Sequence, residues 1–115
     1  MQKESKNIAP TEDMLETAIK ICEMCRDSIL KSFTNGVSYQ RKADNSPVTK
    51  IDVEVEKHIV REIREKFPEH GVLGEETGEH HGSTGFKWIV DPLDGTKNYL
   101  RGIPLFATQL ALMHE

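Results

Sequence analysis

The feature that most constrains the fold is the segment of residues 91–96, which reads Asp-Pro-Leu-Asp-Gly-Thr and follows an apolar run at 88–90. The run predicts a buried strand, and the Gly-Thr pair can begin a helix directly after it. The proline between Asp91 and Asp94 bends the chain, so both carboxylates can reach one cation. The free N–H groups of a helix start suit a phosphate. The segment therefore predicts metal and phosphate ligands side by side.

The same six residues also have a simpler interpretation. Asp-Pro and Asp-Gly pairs are common in turns, and an Asp-Gly pair after a strand usually forms nothing more than a turn. Short motifs also match by chance. From this segment alone both interpretations stay open, and the choice depends on acidic residues elsewhere in the chain.

Length and composition predict one globular domain, residues 1–115, because 37% of the residues are hydrophobic and 30% are charged. The net charge of −4, with basic residues scattered among acidic ones, argues against a nucleic-acid partner. No apolar run approaches the roughly 20 residues of a membrane helix. The first seven residues also lack the apolar core of a signal peptide, so we expect a cytoplasmic protein without a membrane partner.

The two cysteines, Cys22 and Cys25, form a C-x-x-C pair. Such a pair can be a redox centre or half of a zinc site. Here it lies within a helical pattern, without a second pair and without the strand-loop-helix context of a thioredoxin-like motif. We therefore interpret both as reduced residues of a helix.

Two helices are expected in the first part of the chain. Thr11 can cap the first, which ends at Asn35-Gly36 and carries apolar residues at helical spacing, namely Leu15, Ala18, Ile19, Cys22, Cys25, Ile29, Leu30 and Phe33. The second follows a polar loop over 42–52, with Thr49 and Asp52 resembling a capping box. Its apolar residues recur every four positions, and Pro68 ends it: Ile51, Val55, Ile59, Ile63 and Phe67.

Strands are expected mainly in the second part. Residues 72–73, 86–90 and 105–113 are strand-like, with a weaker candidate at 37–42 and a polar, solvated loop at 79–85. The last strand is apolar on both faces, so both faces need covering. The fold class is α/β in the broad sense, or α+β, with helices layered on a largely antiparallel sheet.

Acidic residues occur at three expected element ends: Asp52 at a helix start, Glu75-Glu76 after a short strand, and the carboxylates of 91–96. Loops at element ends can present ligands while the scaffold stays rigid. Oxygen ligands without Cys or His favour Mg²⁺ over zinc. Next to a helix start suited to phosphate, such a site indicates phosphoryl chemistry.

Three segments, residues 46–52, 74–76 and 88–96, resemble in order and spacing the signatures of the inositol monophosphatase superfamily. The resemblance extends from the first helix to the end of the chain. It implies the N-terminal part of a layered α-β-α-β-α sandwich. It also implies a Mg²⁺-dependent, lithium-sensitive phosphomonoesterase that acts on a small-molecule phosphate ester. For the full-length protein, a homodimer is compatible with the resemblance.

The resemblance also implies roles for single residues. Metal ligands would be the carboxylates of Glu75, Asp91 and Asp94 and the backbone carbonyl of Leu93. The substrate phosphate would lie against Asp94, Gly95 and Thr96, held by backbone N–H groups. Catalytic roles would fall to Glu75 and Thr96, which help to activate the attacking water, and to Asp52, which supports the threonine hydroxyl and a metal.

The stretch 97–108 is similar to the histidinol-phosphatase branch, which makes histidinol phosphate the first expectation for the substrate. Related inositol-1-monophosphatases carry similar residues here, and 3',5'-bisphosphate nucleotidases share the loop at 42–49. All three substrates therefore stay open.

Members of this family are about twice as long, and their second half supplies a further aspartate ligand and most of the leaving-group pocket. We therefore expect that residues 1–115 are an N-terminal portion that binds Mg²⁺ weakly and hydrolyses phosphate esters poorly on its own. A truncated, catalytically inactive binding or regulatory module is the alternative. A Ca²⁺-binding structural module is less well supported, because the chain has no Asp-rich 12-residue loop with a closing Glu.

Overall fold

The computed structural model describes residues 10–35, 39–41 and 47–114. The elements in chain order are α1 (Glu12–Asn35), β1 (Tyr39–Arg41), β2 (Pro47–Thr49), α2 (Lys50–Lys66), β3 (Gly71–Gly74), β4 (Gly78–His80), β5 (Phe86–Asp94), α3 (Thr96–Leu100) and β6 (Ala107–His114). Several predicted features lie outside the described residues: Gly36, residues 37, 38 and 42 of the weak strand, loop residues 42–46 and the side chain of Thr49.

The sheet is mixed and mostly antiparallel, as expected. Its order is β4-β3-β5-β6, with β3 parallel to β5 and the other two pairings antiparallel. A separate antiparallel pair joins β1 to β2. Helix α2 packs against β5 and β3, and α1 packs against α2 and β6. The arrangement is the helix-on-sheet layering that the sequence predicts.

The predicted starts of both long helices are confirmed. The backbone N–H of Met14 donates to the Thr11 hydroxyl at 3.2 Å, which caps α1. Asp52 lies in the first turn of α2. Cys22 and Cys25 are free thiols within α1, and burial raises the pKa of Cys25 to about 11. A thiol with such a pKa stays protonated and unreactive near neutral pH.

The core lies between the helices and the inner face of the sheet. Alternate residues of β5 are buried against it, and Ile59 and Ile63 of α2 are fully enclosed. The buried apolar residues are Met14, Ile21, Cys25, Ile29, Val55, Ile59, Val60, Ile63, Val72, Phe86, Trp88, Val90, Leu93 and Tyr99. Three apolar residues of the predicted α1 stripe are instead largely exposed: Leu15, Ile19 and Leu30.

Two strands differ from expectation. β4 occupies Gly78–His80, where a loop is predicted, because its backbone pairs with β3 despite the lack of an apolar pattern. β6 begins at Ala107, so Leu105 stays outside it and is 71% exposed. Within the described residues one face of β6 is exposed, whereas its apolar pattern predicts burial on both. None of the described helices has the length and apolar character needed to cross a membrane.

Candidate metal and phosphate site

Strand β5 carries the first four residues of the Asp-Pro-Leu-Asp-Gly-Thr segment, and its alternation of buried and half-buried residues is interrupted there. In β5 the buried and half-buried residues alternate as far as Asp91, after which Pro92 and Leu93 are both buried and Asp94 is exposed. The register with β6 shifts between Asp91 and Asp94. Residues three apart on a regular strand point to opposite faces, and an irregularity of this kind re-aims them. The strand therefore continues beyond Val90, and the expected bend is an irregularity within it.

The Asp91 carboxylate is the least satisfied polar group of this region. Its Oδ1 atom is buried, and no group in the described part of the chain forms a hydrogen bond with it. Burial raises the pKa of Asp91, and the nearby charges of Glu75, Asp94 and Asp52 raise it further. A hydrogen bond from the Leu93 backbone acts in the opposite direction. The charges of three other carboxylates, one from α2, one from the loop after β3 and one from β5 itself, thus act on Asp91.

The other three carboxylates reach this position from different elements. Asp52 is 4% exposed in the first turn of α2, and Glu75 directly follows β3. Asp94 is exposed, and its Oδ2 accepts a bond from Gln109 Nε2 at 3.4 Å. Among the described residues, no three His, Cys, Asp or Glu side chains have the spacing of a metal-binding group. The structure therefore brings the predicted ligands into electrostatic range without closing them around one point.

The helix start next to these carboxylates is confirmed. Gly95 precedes α3 in the left-handed conformation, with φ 95° and ψ 34°. A Cβ atom here would also lie 2.8 Å from the carbonyl oxygen of Leu105. Both the backbone angle and the lack of space require glycine at this position. The chain can therefore turn sharply from β5 into α3.

Thr96, the first residue of α3, has its hydroxyl directed back to the strand. The hydroxyl donates to the Leu93 carbonyl at 3.1 Å. A hydroxyl carries one proton, so donation to Asp52, which the family resemblance implies, requires this proton to move. The support of Thr96 by Asp52 stays a prediction.

Tyr99 holds α3 against the first helix. Its side chain is 2% exposed, and its hydroxyl donates to the backbone carbonyl of Ile29 at 2.8 Å. The ring packs against Phe33 and Phe106, with centroid distances of 5.4 and 5.0 Å. The short helix after the motif is thus fixed by contacts far away in sequence.

The residues present fit a hard divalent cation. A buried oxygen without a hydrogen bond costs free energy, and a cation would satisfy Asp91 Oδ1. The Leu93 carbonyl accepts the Thr96 hydroxyl and keeps a second lone pair. All candidate donors are oxygens, the ligands that Mg²⁺ prefers. The fit therefore rests on the chemistry of the donors and on the unsatisfied oxygen.

One buried charge near the site was not predicted from the sequence. Glu56 on α2 is 0% exposed, and both its carboxylate oxygens accept the backbone N–H of Glu76, at 2.8 and 3.0 Å. The N–H of Thr77 donates to the same carboxylate. A glutamate on the apolar side of a helix, four residues after Asp52, is the signal that could have revealed it.

A cavity in the described part of the chain lies away from the carboxylates of the candidate site. It has a volume of about 490 Å³ beside α2 and β4, and no predicted site residue lines it. Its lining is partly basic and consists of Lys57, Val60, Arg61, Arg64, Glu65, Pro68, Thr77 and His80.

The chain is similar to known proteins over most of its length. The model of the inositol monophosphatase family matches residues 11–115. A histidinol-phosphatase of Chlorobaculum parvum is 36% identical over 102 residues, which cover 88% of this chain and 39% of that protein. The Nus factor SuhB of Vibrio cholerae is 39% identical over 102 residues, covering 86% of this chain and 38% of that protein.

A solved structure shows the same arrangement of elements. The extragenic suppressor protein suhB from Bartonella henselae superimposes with a TM-score of 0.83 and is 30% identical. The match covers 90% of this chain and 41% of that one. The chain therefore spans about two fifths of the length of the relatives that it matches.

Proposed function

The chain belongs to the inositol monophosphatase family, and from that premise we propose that it carries the metal and phosphate site of a Mg²⁺-dependent phosphomonoesterase. The observation that carries the proposal is the buried, unpartnered Oδ1 of Asp91 among the charges of Glu75, Asp94 and Asp52. The substrate class is a small phosphorylated alcohol. Histidinol phosphate comes first, supported by the similarity to a histidinol-phosphatase, with inositol 1-phosphate or a 3',5'-bisphosphate nucleotide as alternatives.

In this proposal the carboxylates of Glu75, Asp91 and Asp94 and the carbonyl of Leu93 hold Mg²⁺. The ion, when bound, lowers the pKa of water and neutralises charge on the phosphoryl oxygens. The backbone N–H groups of Gly95 and Thr96 hold the phosphate, beside Asp94. Orienting the phosphate in this way reduces the entropy that the reaction must lose.

The same residues supply the proton chemistry. Glu75 and the Thr96 hydroxyl orient a water for in-line attack on phosphorus, and the Glu75 carboxylate accepts its proton. Asp52 is placed to support the Thr96 hydroxyl. Water attacks phosphorus directly while the bond from phosphorus to the alcohol oxygen breaks, and the departing oxygen takes a proton from solvent water. No covalent enzyme intermediate is therefore required.

A binding or regulatory role without catalysis is the second candidate. It is favoured by the similarity to proteins named Nus factor SuhB. The two candidates differ in one measurable property, because only the phosphatase requires bound Mg²⁺ for its activity.

Metal binding is the direct test. The isotope-labelled chain is titrated with Mg²⁺, and amide NMR signals are followed, with Asp91→Asn as the control. We expect weak binding in the millimolar range that shifts the signals of 91–96 and of Glu75 and that is lost in the control. Absence of these shifts would contradict the proposed site.

Phosphate release tests the reaction. Histidinol phosphate, inositol 1-phosphate and a 3',5'-bisphosphate nucleotide are compared at saturating Mg²⁺. The chain spans 39% of a matching relative, so we expect poor hydrolysis by residues 1–115 alone. Turnover of about 1 to 1,000 per second, as typical enzymes reach, would contradict that expectation.

A further inference from the structure

Glu56 is a buried charge for which the proposed reaction has no use. It lies on α2 with 0% exposure, among the apolar residues that face the sheet. A buried carboxylate is costly unless hydrogen bonds compensate it. Here the backbone N–H groups of Glu76 and Thr77 both donate to it. Hydrogen bonds to a charged acceptor are about twice as strong as neutral ones.

These bonds determine the path of the loop between β3 and β4. The loop contains only residues 75–77, because β3 ends at Gly74 and β4 begins at Gly78. Two of its three N–H groups are bound by Glu56. The backbone that follows Glu75 is therefore tied to α2, and the direction of the Glu75 side chain depends on this attachment.

Gly74 provides an independent sign of the same contact. A Cβ atom at this position would overlap an oxygen of the Glu56 carboxylate and lie 2.7 Å from its Cδ atom. It would also lie 2.7 Å from the Thr77 hydroxyl oxygen. The carboxylate thus occupies the space that any other residue at position 74 would need.

Helix α2 connects this attachment to Asp52. Residues four apart lie on the same side of a helix, one turn from each other. Asp52 acts on Asp91 electrostatically, whereas Glu56 acts on the loop that carries Glu75. One helix therefore carries Asp52 and also holds the backbone that follows Glu75.

We propose that Glu56 is a positioning residue, which holds the 75–77 loop so that the Glu75 carboxylate is presented to the cation at Asp91. This role rests on the proposed function. In this proposal Glu56 is neither a metal ligand nor a substrate-binding residue. Groups that orient metal ligands in this way typically change metal affinity by 10- to 100-fold when they are replaced.

The main variant is Glu56→Gln in the full chain. Glutamine has nearly the same shape, but its NH₂ group replaces one oxygen and would face an N–H donor. The control is Val60→Ala, one turn further along α2, which removes buried apolar contacts but no hydrogen bond to the loop. Amide hydrogen exchange is measured by NMR, and Mn²⁺ affinity is measured from paramagnetic broadening at Asp91 and Gly95.

We expect Glu56→Gln to accelerate exchange at Glu76 and Thr77 selectively by about 10-fold or more, which is the loss of one strong hydrogen bond. Mn²⁺ affinity should fall by about 10-fold or more. Val60→Ala should accelerate exchange across the core without singling out these two amides and should leave Mn²⁺ affinity unchanged. Unchanged exchange at Glu76 and Thr77, or unchanged Mn²⁺ affinity, in Glu56→Gln would overturn the proposal.

A second variant, Gly74→Ala, covers the case in which Glu56→Gln does not fold. The variant keeps Glu56, but the added Cβ atom displaces the Glu56 carboxylate. The amides of Glu76 and Thr77 should therefore exchange faster. Wild-type protein gives a further check, because Glu76 and Thr77 should exchange more slowly than the exposed residues His81 and Gly82. A wild-type chain that binds no Mn²⁺ would overturn the proposed function, and the attachment of the loop is then judged from amide exchange alone.

Discussion

The two ends of β5 differ in whether their buried polar groups are hydrogen-bonded. Near its start, Trp88 is 1% exposed, and its Nε1–H donates to His70 Nδ1 at 2.9 Å. The His70 ring stacks on Phe67, with centroids 4.6 Å apart and planes within 5°. At the other end, Asp91 Oδ1 is buried without a hydrogen bond from any described residue. The buried polar groups of the first end are hydrogen-bonded within the fold, whereas Asp91 Oδ1 at the second end is not.

The pKa shifts express this difference. Burial lowers the pKa of His70, which favours the neutral ring that can accept the Trp88 bond. At Asp91, burial and three neighbouring negative charges raise the pKa, so the charged form is disfavoured until a cation compensates it. One strand therefore combines an end whose buried polar groups are paired with an end at which Asp91 Oδ1 has no hydrogen bond from any described residue.

The strongest test of this contrast is Asp91→Asn. In a complete enzyme built on this chain we expect kcat/KM to fall at least about 1,000-fold, or about 4 kcal/mol, because a ligand charge is lost. The fold should persist, since the substitution also relieves repulsion among the acidic residues. Phosphate release and urea denaturation measure the two effects. Retained activity would remove Asp91 from the ligand set.

At the stabilising end, Trp88→Phe should lower the free energy of unfolding by about 2 kcal/mol. The change removes buried atoms and leaves His70 Nδ1 without its donor. Urea denaturation followed by circular dichroism measures the loss, and Mg²⁺ binding at the other end should be unaffected. A variant as stable as wild type would show that the Trp88 bond contributes little.

The pH dependence of stability gives a smaller effect at the same end. The pKa of His70 is lower in the folded than in the unfolded chain, so the unfolded chain binds more protons below about pH 6.5. The contribution of His70 to the free energy of unfolding should therefore be fully present above that pH and be lost as the pH falls below it. His70→Gln should lose less stability than wild type between about pH 8 and pH 5. Equal losses in both proteins would exclude this contribution.

The smallest effect is expected for Gln109→Ala at the open end. The Gln109 bond to Asp94 is exposed and long, at 3.4 Å. Its removal should change the free energy of unfolding by no more than about 0.5 kcal/mol, as for most surface substitutions. A larger loss in urea denaturation would mean that this end is also held by its own hydrogen bonds.

Regular elements were predictable from the sequence where their periodicity is strong. Both long helices and the strand at 86–90 appear where their apolar patterns place them. The exposure of Leu15 and Ile19 was not predictable, because the pattern defines an apolar stripe but not how much of it a neighbour covers. β4 was missed because its pairing depends on backbone bonds to β3, which three residues without alternation do not reveal.

The site was predictable in part. The convergence of Asp52, Glu75 and Asp94 on Asp91 agrees with the ordered motifs. The irregularity after Asp91 was not foreseen, because a proline in a run of strand residues usually indicates an end. Glu56 was missed because its partners are backbone N–H groups 20 and 21 residues away, which side-chain patterns do not reveal.

The bond from Tyr99 to the Ile29 carbonyl also has a consequence for folding kinetics. It joins groups 70 residues apart, and contacts of such long sequence separation form slowly because the intervening chain must first be ordered. Through this hydrogen bond, α3 and the Gly95 turn that precedes it are held against α1. During synthesis, α1 can form early, but the Asp91–Thr96 motif cannot reach its final position before the residues up to Tyr99 have been made. The segment that defines the site is therefore expected to become ordered after α1.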